Sequence, residues 1–113
     1  MSFREVSMEK GGKVLHLSLL ELSNAILVFF YEGSMKLGTL AIALPSSTEG
    51  QATISSVLVG GKYILSARAL AERVAGFFKK MSLASVHVEI PEPEGVKTAA
   101  ALLDNLVGKG RSQ

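Results

Sequence analysis

The sequence predicts an α+β fold: a six-stranded antiparallel β-sheet with two α-helices packed on it, in the order β-β-β-β-β-α-β-α. Three observations predict it. In the first half of the chain, apolar residues alternate with a period of two, as strands with one buried face require. The period becomes helical near residue 62, returns to two near residue 85 and is helical again from residue 96. Turn formers (Gly11-Gly12, Ser23-Asn24, Gly33-Ser34 and the stretch PSSTEGQ) separate the extended segments.

Residues Phe3 to Glu9 alternate loosely, and Gly11-Gly12 then allows a two-residue hairpin, because glycine takes positive φ at little cost. The second strand, Val14 to Leu22, points Leu15, Leu17 and Leu19 one way and His16 and Ser18 the other. The third, AILVFFYE, is apolar on both faces, the mark of a strand covered on both sides. Gly33-Ser34 suits a type II′ turn into a fourth strand, Met35 to Leu44, and ATISSVLV reads as the fifth. From Lys62 to Met81, Ala67, Leu70, Ala71, Val74, Phe78 and Met81 share one helical face, opposite Arg68, Glu72 and Lys79. The sixth strand is SVHVEIP, with Val86, Val88 and Ile90 inward and His87 and Glu89 outward, stopped by Pro91 and Pro93. The second helix carries Val96, Ala99, Ala100, Leu103 and Val107 on its stripe, and Gly108 reads as its C-terminal cap.

With 113 residues, 48% of them hydrophobic and spread from Val14 to Val107, residues 1–113 read as one domain with one core and flexible ends at 1–2 and 108–113. The net charge of +2, from 12 basic and 10 acidic residues mostly interleaved, leaves no basic tract of the kind that tracks a phosphate backbone. The absence of cysteine excludes disulfides, thiolate metal sites and cysteine nucleophiles. The longest apolar run, Ala25 to Tyr31, is far short of the ~20 residues of a membrane span, and the charged start is no secretory signal. A cytoplasmic protein is expected. Scarce Asn and Gln, with no Cys, lean towards a thermophilic source.

Gly33 and Gly38 stand at phosphate-loop spacing, with Thr39 after the second. A phosphate loop needs a lysine directly after its last glycine and a helix starting there; Thr39 takes the lysine's place, and LAIALP starts no helix. The hairpin reading instead pairs Tyr31 with Lys36, Phe30 with Leu37 and Phe29 with Gly38, so that the Phe29 ring shields the glycine. Extended through the Ser23-Asn24 turn, this register puts Leu15, Leu17, Leu19, Ile26, Val28, Phe30, Leu37 and Ala41 on a face that suits the helices. The other face carries His16, Ser18, Leu20, Leu27, Phe29, Tyr31, Lys36, Gly38, Leu40 and Ile42, too apolar at one end to stand in water. A helix or another chain is expected to cross it. Phe29, Tyr31, Lys36 and Leu40 there, with Arg68 and Arg73 on the first helix, are the candidate partner or dimer contacts.

No residue set recommends an enzyme, and no cofactor or metal is expected. Asp104, the sole aspartate, sits late in the last helix, poorly placed for a Ser-His-Asp triad. His16 and His87 lie on strands without further ligands at metal spacing. Glu89 shares a face with His87 as a surface pair, Glu92 and Glu94 read as a solvated turn between prolines, and Ser66 reads as a helix-start or first-turn residue.

In order, these segments resemble the small proteasome assembly chaperones, the branch containing the third and fourth chaperones of that system. The resemblance runs from about Val14 to Val107 and rests on the order and spacing of HLSLLELSNAILVFF, LGTLAIAL, LAERVA and SVHVEI. It implies a small α+β domain of six antiparallel strands and packed helices that dimerises and escorts proteasome α-type subunits during assembly of the core ring. It further implies an ATP-independent, non-enzymatic protein, an archaeal-type homodimer, with a heterodimer formed with a paralogue as the other arrangement. The chain ends Arg111-Ser112-Gln113, without the hydrophobic-Tyr-X tail by which larger chaperones of that system dock. The alternative reading, from the slight basic excess and the basic ends, is a small nucleic-acid-associated binding protein.

Overall fold

A computed structural model describes residues 2–46 and 53–109. Its elements are β1 (Arg4–Lys10), β2 (Lys13–Glu21), β3 (Ala25–Glu32), β4 (Thr39–Leu44), β5 (Ile54–Val59), α1 (Ile64–Phe78), β6 (Met81–His87) and α2 (Glu92–Lys109). Six strands and two helices follow in the expected order, an α+β fold. Most of the loop between β4 and β5, Ala52 of the expected fifth strand and the tail after Lys109 lie outside the described residues.

The first two hairpins follow from local chemistry. Gly11 and Gly12 both have positive φ (60° and 81°), and Lys10 pairs with Lys13 across them. At Ser23-Asn24 the Leu22 N–H donates to the Ala25 carbonyl at 2.7 Å, which sets Leu20 opposite Leu27 and Leu17 opposite Phe30.

Beyond β3 the sheet departs from simple antiparallel succession. The strand order is β1-β2-β3-β6-β4-β5, and β3 pairs with β6 in parallel, Ala25 beside Met81 through Tyr31 beside His87; the other pairings are antiparallel. The sheet is therefore mixed, and the expected β3–β4 hairpin does not form. Gly33 does take positive φ (69°), but residues 33–38 form a link that carries the chain over the end of β6 to start β4 at Thr39. Phe29 lies between Ser18 and Ser85, not beside Gly38, and Leu37, expected under the helices, is 64% exposed in the link. The physical reason is that β3, apolar on both faces, gains seven in-register partners from β6. A hairpin would have set it against the charged, glycine-containing start MKLG.

α1 ends at Phe78 and not at Met81, because Lys79 enters the left-handed region (φ 59°) with its N–H donating to the Ala75 carbonyl at 2.9 Å. β6 then begins at Met81, four residues before the expected start at Ser85. α2 begins at Glu92 where a solvated turn was expected, since Pro93 in a first turn gives up an N–H that has no intrahelical partner anyway. It continues through Lys109, so Gly108 lies in its last turn and does not cap it.

Both helices pack on one side of the sheet: α1 over β4, β5 and β6, α2 over β1 and β2, and the helices against each other. The core between them joins Leu15, Leu17, Leu19, Ile26, Val28 and Phe30 to Leu70, Val74, Leu102 and Leu103. Small residues under α1 (Ala41, Ala43, Ser82 and Ala84) meet Ala67, Ala71 and Ala75 of the helix and let it approach closely. Ser82 is satisfied there by donating its hydroxyl to the Ala71 carbonyl at 2.6 Å. Arg4 donates to the Leu106 carbonyl at 3.3 Å and so ties α2 to β1.

Candidate functional site

With both helices on one side, the opposite face of the sheet has no covering element among the described residues. Strand alternation and register set its membership. Leu20, Leu27, Phe29, Leu40, Ile42 and Leu83 form a half-buried apolar band across the central strands, widened by exposed Leu44 and by Ile54, which is 73% exposed. The Phe3 ring meets Phe29 edge-on at 6.1 Å. A contiguous apolar surface of this kind marks an interaction site more often than it is left in water.

The end of this face towards β1 is polar. Because β1 sets Glu5 opposite Ser18 and Ser7 opposite His16, while β2 sets His16 opposite Tyr31, five polar side chains converge. The Tyr31 hydroxyl donates to Glu5 Oε2 at 2.9 Å and accepts from Ser18 Oγ at 2.9 Å. The Tyr31 ring stacks on His16 at 5.2 Å, and Ser7 Oγ lies 2.8 Å from His16 Nδ1. Tyr31 is only 5% exposed, and this burial, first, holds its phenol above the ordinary value of 10.0; the Glu5 carboxylate adds to the rise and the Ser18 bond opposes it.

The structure separates the six candidate contacts. Phe29 and Leu40 lie half-buried in the apolar band, Tyr31 is buried within the polar cluster, and Lys36 is exposed in the 33–38 link. Arg68 and Arg73 belong to the helical layer on the other side, where Arg68 Nε donates to Ser55 Oγ at 3.0 Å and Arg73 lies 3.5 Å from Asp104. The sequence places His16, Ser18 and Tyr31 on this face but leaves out Glu5 and Ser7, although the Gly11-Gly12 hairpin implies the Glu5–Ser18 and Ser7–His16 pairings once its register is followed.

A second concavity follows from the strand order. Since β3 and β4 are consecutive in the chain but flank β6, the link joining them must pass over the C-terminal end of β6. There it meets the β5–α1 connection and residues 87–89, and the three enclose a cleft of about 580 Å³ lined by Leu37, Gly38, Thr39, Gly60, Gly61, Lys62, Tyr63, Val86, His87, Val88 and Glu89. Gly38 makes the passage possible, because a Cβ on it would lie 2.1 Å from the Val86 carbonyl oxygen. Its N–H donates to Ser85 Oγ at 2.9 Å, and the Thr39 hydroxyl donates to the Lys62 carbonyl. The Tyr63 hydroxyl donates to the Ile90 carbonyl at 2.6 Å.

No group of three or more His, Asp or Glu side chains that could hold a metal ion occurs among the described residues. No helix among them is long and apolar enough to cross a membrane. No protein-family model matches the chain, and no curated protein matches it in sequence. Its fold is similar to that of a chain in a crystal structure of a novel chaperone complex for yeast 20S proteasome assembly, with a TM-score of 0.67. That similarity covers 94% of this chain and 98% of the other at 9% sequence identity, a likeness of fold.

Proposed function

We propose that this protein is an assembly chaperone: a non-enzymatic, cytoplasmic protein that dimerises and binds α-type subunits of the proteasome core particle, promoting formation of the α-ring. The uncovered sheet face carries the reading. A domain of this size that places both helices on one side and leaves an apolar band on the other is built to meet a protein surface. Two further observations agree with it. The fold is shared over nearly the whole of both chains with a member of a yeast proteasome-assembly chaperone complex. The segments HLSLLELSNAILVFF, LGTLAIAL, LAERVA and SVHVEI resemble the small branch of such chaperones in order and spacing.

Nucleic acid gains no comparable support, since the 12 basic and 10 acidic residues are mostly interleaved and form no basic tract. The test is to mix the purified protein with proteasome α-type subunits and to follow size-exclusion elution and ring formation. Co-elution with accelerated ring formation is expected; separate elution with unchanged kinetics overturns the reading. A sedimentation mass of two chains at micromolar concentration is expected for the protein alone, and a mass of one chain removes the dimer from the proposal.

A further inference from the structure

The cleft over the end of β6 is not explained by a chaperone role, and its electrostatics select a ligand class. Of the carboxylates around it, Glu32 and Glu92 are bonded to groups of the protein itself, and Glu89, 82% exposed, shares Lys13 with Glu32. Glu32 accepts the Glu89 N–H through Oε1 and has Oε2 3.6 Å from Lys13 Nζ, while Glu89 Oε1 lies 3.9 Å from the same ammonium. Glu92, at the rim, accepts the Ser66 N–H at 2.8 Å and so occupies the N-terminus of α1. The side chains of Lys62 and His87, which line the cleft, and of Lys36 on the adjoining link are different: none of them forms an ion pair among the described residues.

We propose that this cleft binds a small organic oxyanion, a carboxylate or phosphate held by Lys62 and His87, with its carbon stem against Leu37. Two physical features support it. The volume of about 580 Å³ admits a small molecule. Gly60 and Gly61 leave backbone, without side chains, at the mouth. The site is no phosphate loop, since the Gly38 N–H and the Thr39 hydroxyl are spent on Ser85 and Lys62. The inference is independent of proteasome binding and is tested without it.

The experiment is an amide NMR titration of the full chain with three probes: glutarate, inorganic phosphate and the neutral analogue glutaramide. Saturable shifts at Leu37, Gly60, Gly61 and His87 are expected with an anion and not with glutaramide. Tighter glutarate binding assigns the Leu37 wall to the ligand's carbon stem; tighter phosphate binding assigns the site to a phosphorylated ligand. Lys62→Gln, at an exposed position, is expected to weaken binding about tenfold, the loss of one charge-assisted hydrogen bond. His87→Gln is expected to weaken it by a smaller factor. No saturable shift at these amides, shifts of equal size with glutaramide, or unchanged affinity in Lys62→Gln overturns the proposal.

Discussion

Gly38 and Gly33 stand five residues apart and serve different ends. At Gly38 the obstacle is space, because any Cβ collides with the carbonyl of Val86 on the strand that the link crosses. At Gly33 the obstacle is conformation alone: φ is +69°, and the space around it is open. Gly38→Ala is therefore expected to lose about 3 kcal/mol or more, the upper end of overpacking, because the obstacle is backbone, and Gly33→Ala about 1 kcal/mol, both measured by urea denaturation. Equal losses would contradict the crossing of the link over β6. Tyr31 sets a second expectation. A phenol whose folded-state pKa is raised contributes stability that is fully present below its unfolded value near 10.0 and is lost as pH rises through the folded value. Wild type should therefore lose stability above pH 10.0 more steeply than Tyr31→Phe, which has no phenol to ionise. Parallel alkaline unfolding of the two proteins would remove Tyr31 as the cause.

α1 begins without the usual equipment of a helix N-terminus. Its N-cap, Tyr63, is in the left-handed region and makes no side-chain cap bond, and its first turn holds no acidic residue. The missing acceptor comes from α2: the Glu92 carboxylate takes the Ser66 N–H, so one side chain caps the first helix and contributes negative charge to the first turn of the second. Glu92→Ala should lower stability by about 1 kcal/mol. Glu94→Ala, in the same first turn of α2 but without a cap bond to α1, should lower it less. Thermal denaturation of the two variants decides, and equal losses would deny the cap. Period and turn chemistry located every element, but boundaries failed where a distant partner decides them. Ser82 and Ala84 interrupt the apolar alternation of β6 and read as loop until α1 is seen lying on them. The Pro91 to Glu94 stretch likewise reads as a turn until Glu92 is seen bonding α1.

The molecule has two layers, and that arrangement sorts the candidate contacts by side. Leu40→Lys or Ile42→Lys, in the uncovered band, should weaken binding to an α-type subunit at least about tenfold, as expected for a charge forced into the centre of an interface. Arg68→Ala and Arg73→Ala, in the helical layer, should leave it within about twofold, below roughly 0.5 kcal/mol. Titration by fluorescence anisotropy checks both pairs, and the reverse order would move the interface to the helices. Part of this surface was legible in the residues: alternation grouped Leu27 with Phe29 and Leu40 with Ile42, which holds whichever strand lies beside them, but the hairpin register that joined the two groups does not form, and they share a face because Phe29 and Leu40 both lie opposite Ser85. Alternation and turn chemistry likewise determined the element types, the first two hairpins and the burial of Leu15, Leu17, Leu19, Leu70 and Leu103, since these depend on residues near one another in the chain; they missed Leu102 and Leu106. Which strand completes β3 depended on competition between a four-residue reach and one of more than fifty residues. Only the folded chain decided it, because seven paired residues of β6 outweigh a local turn. From that choice came the mixed sheet and the cleft over β6, for a strand inserted between two consecutive neighbours obliges their link to pass above its end.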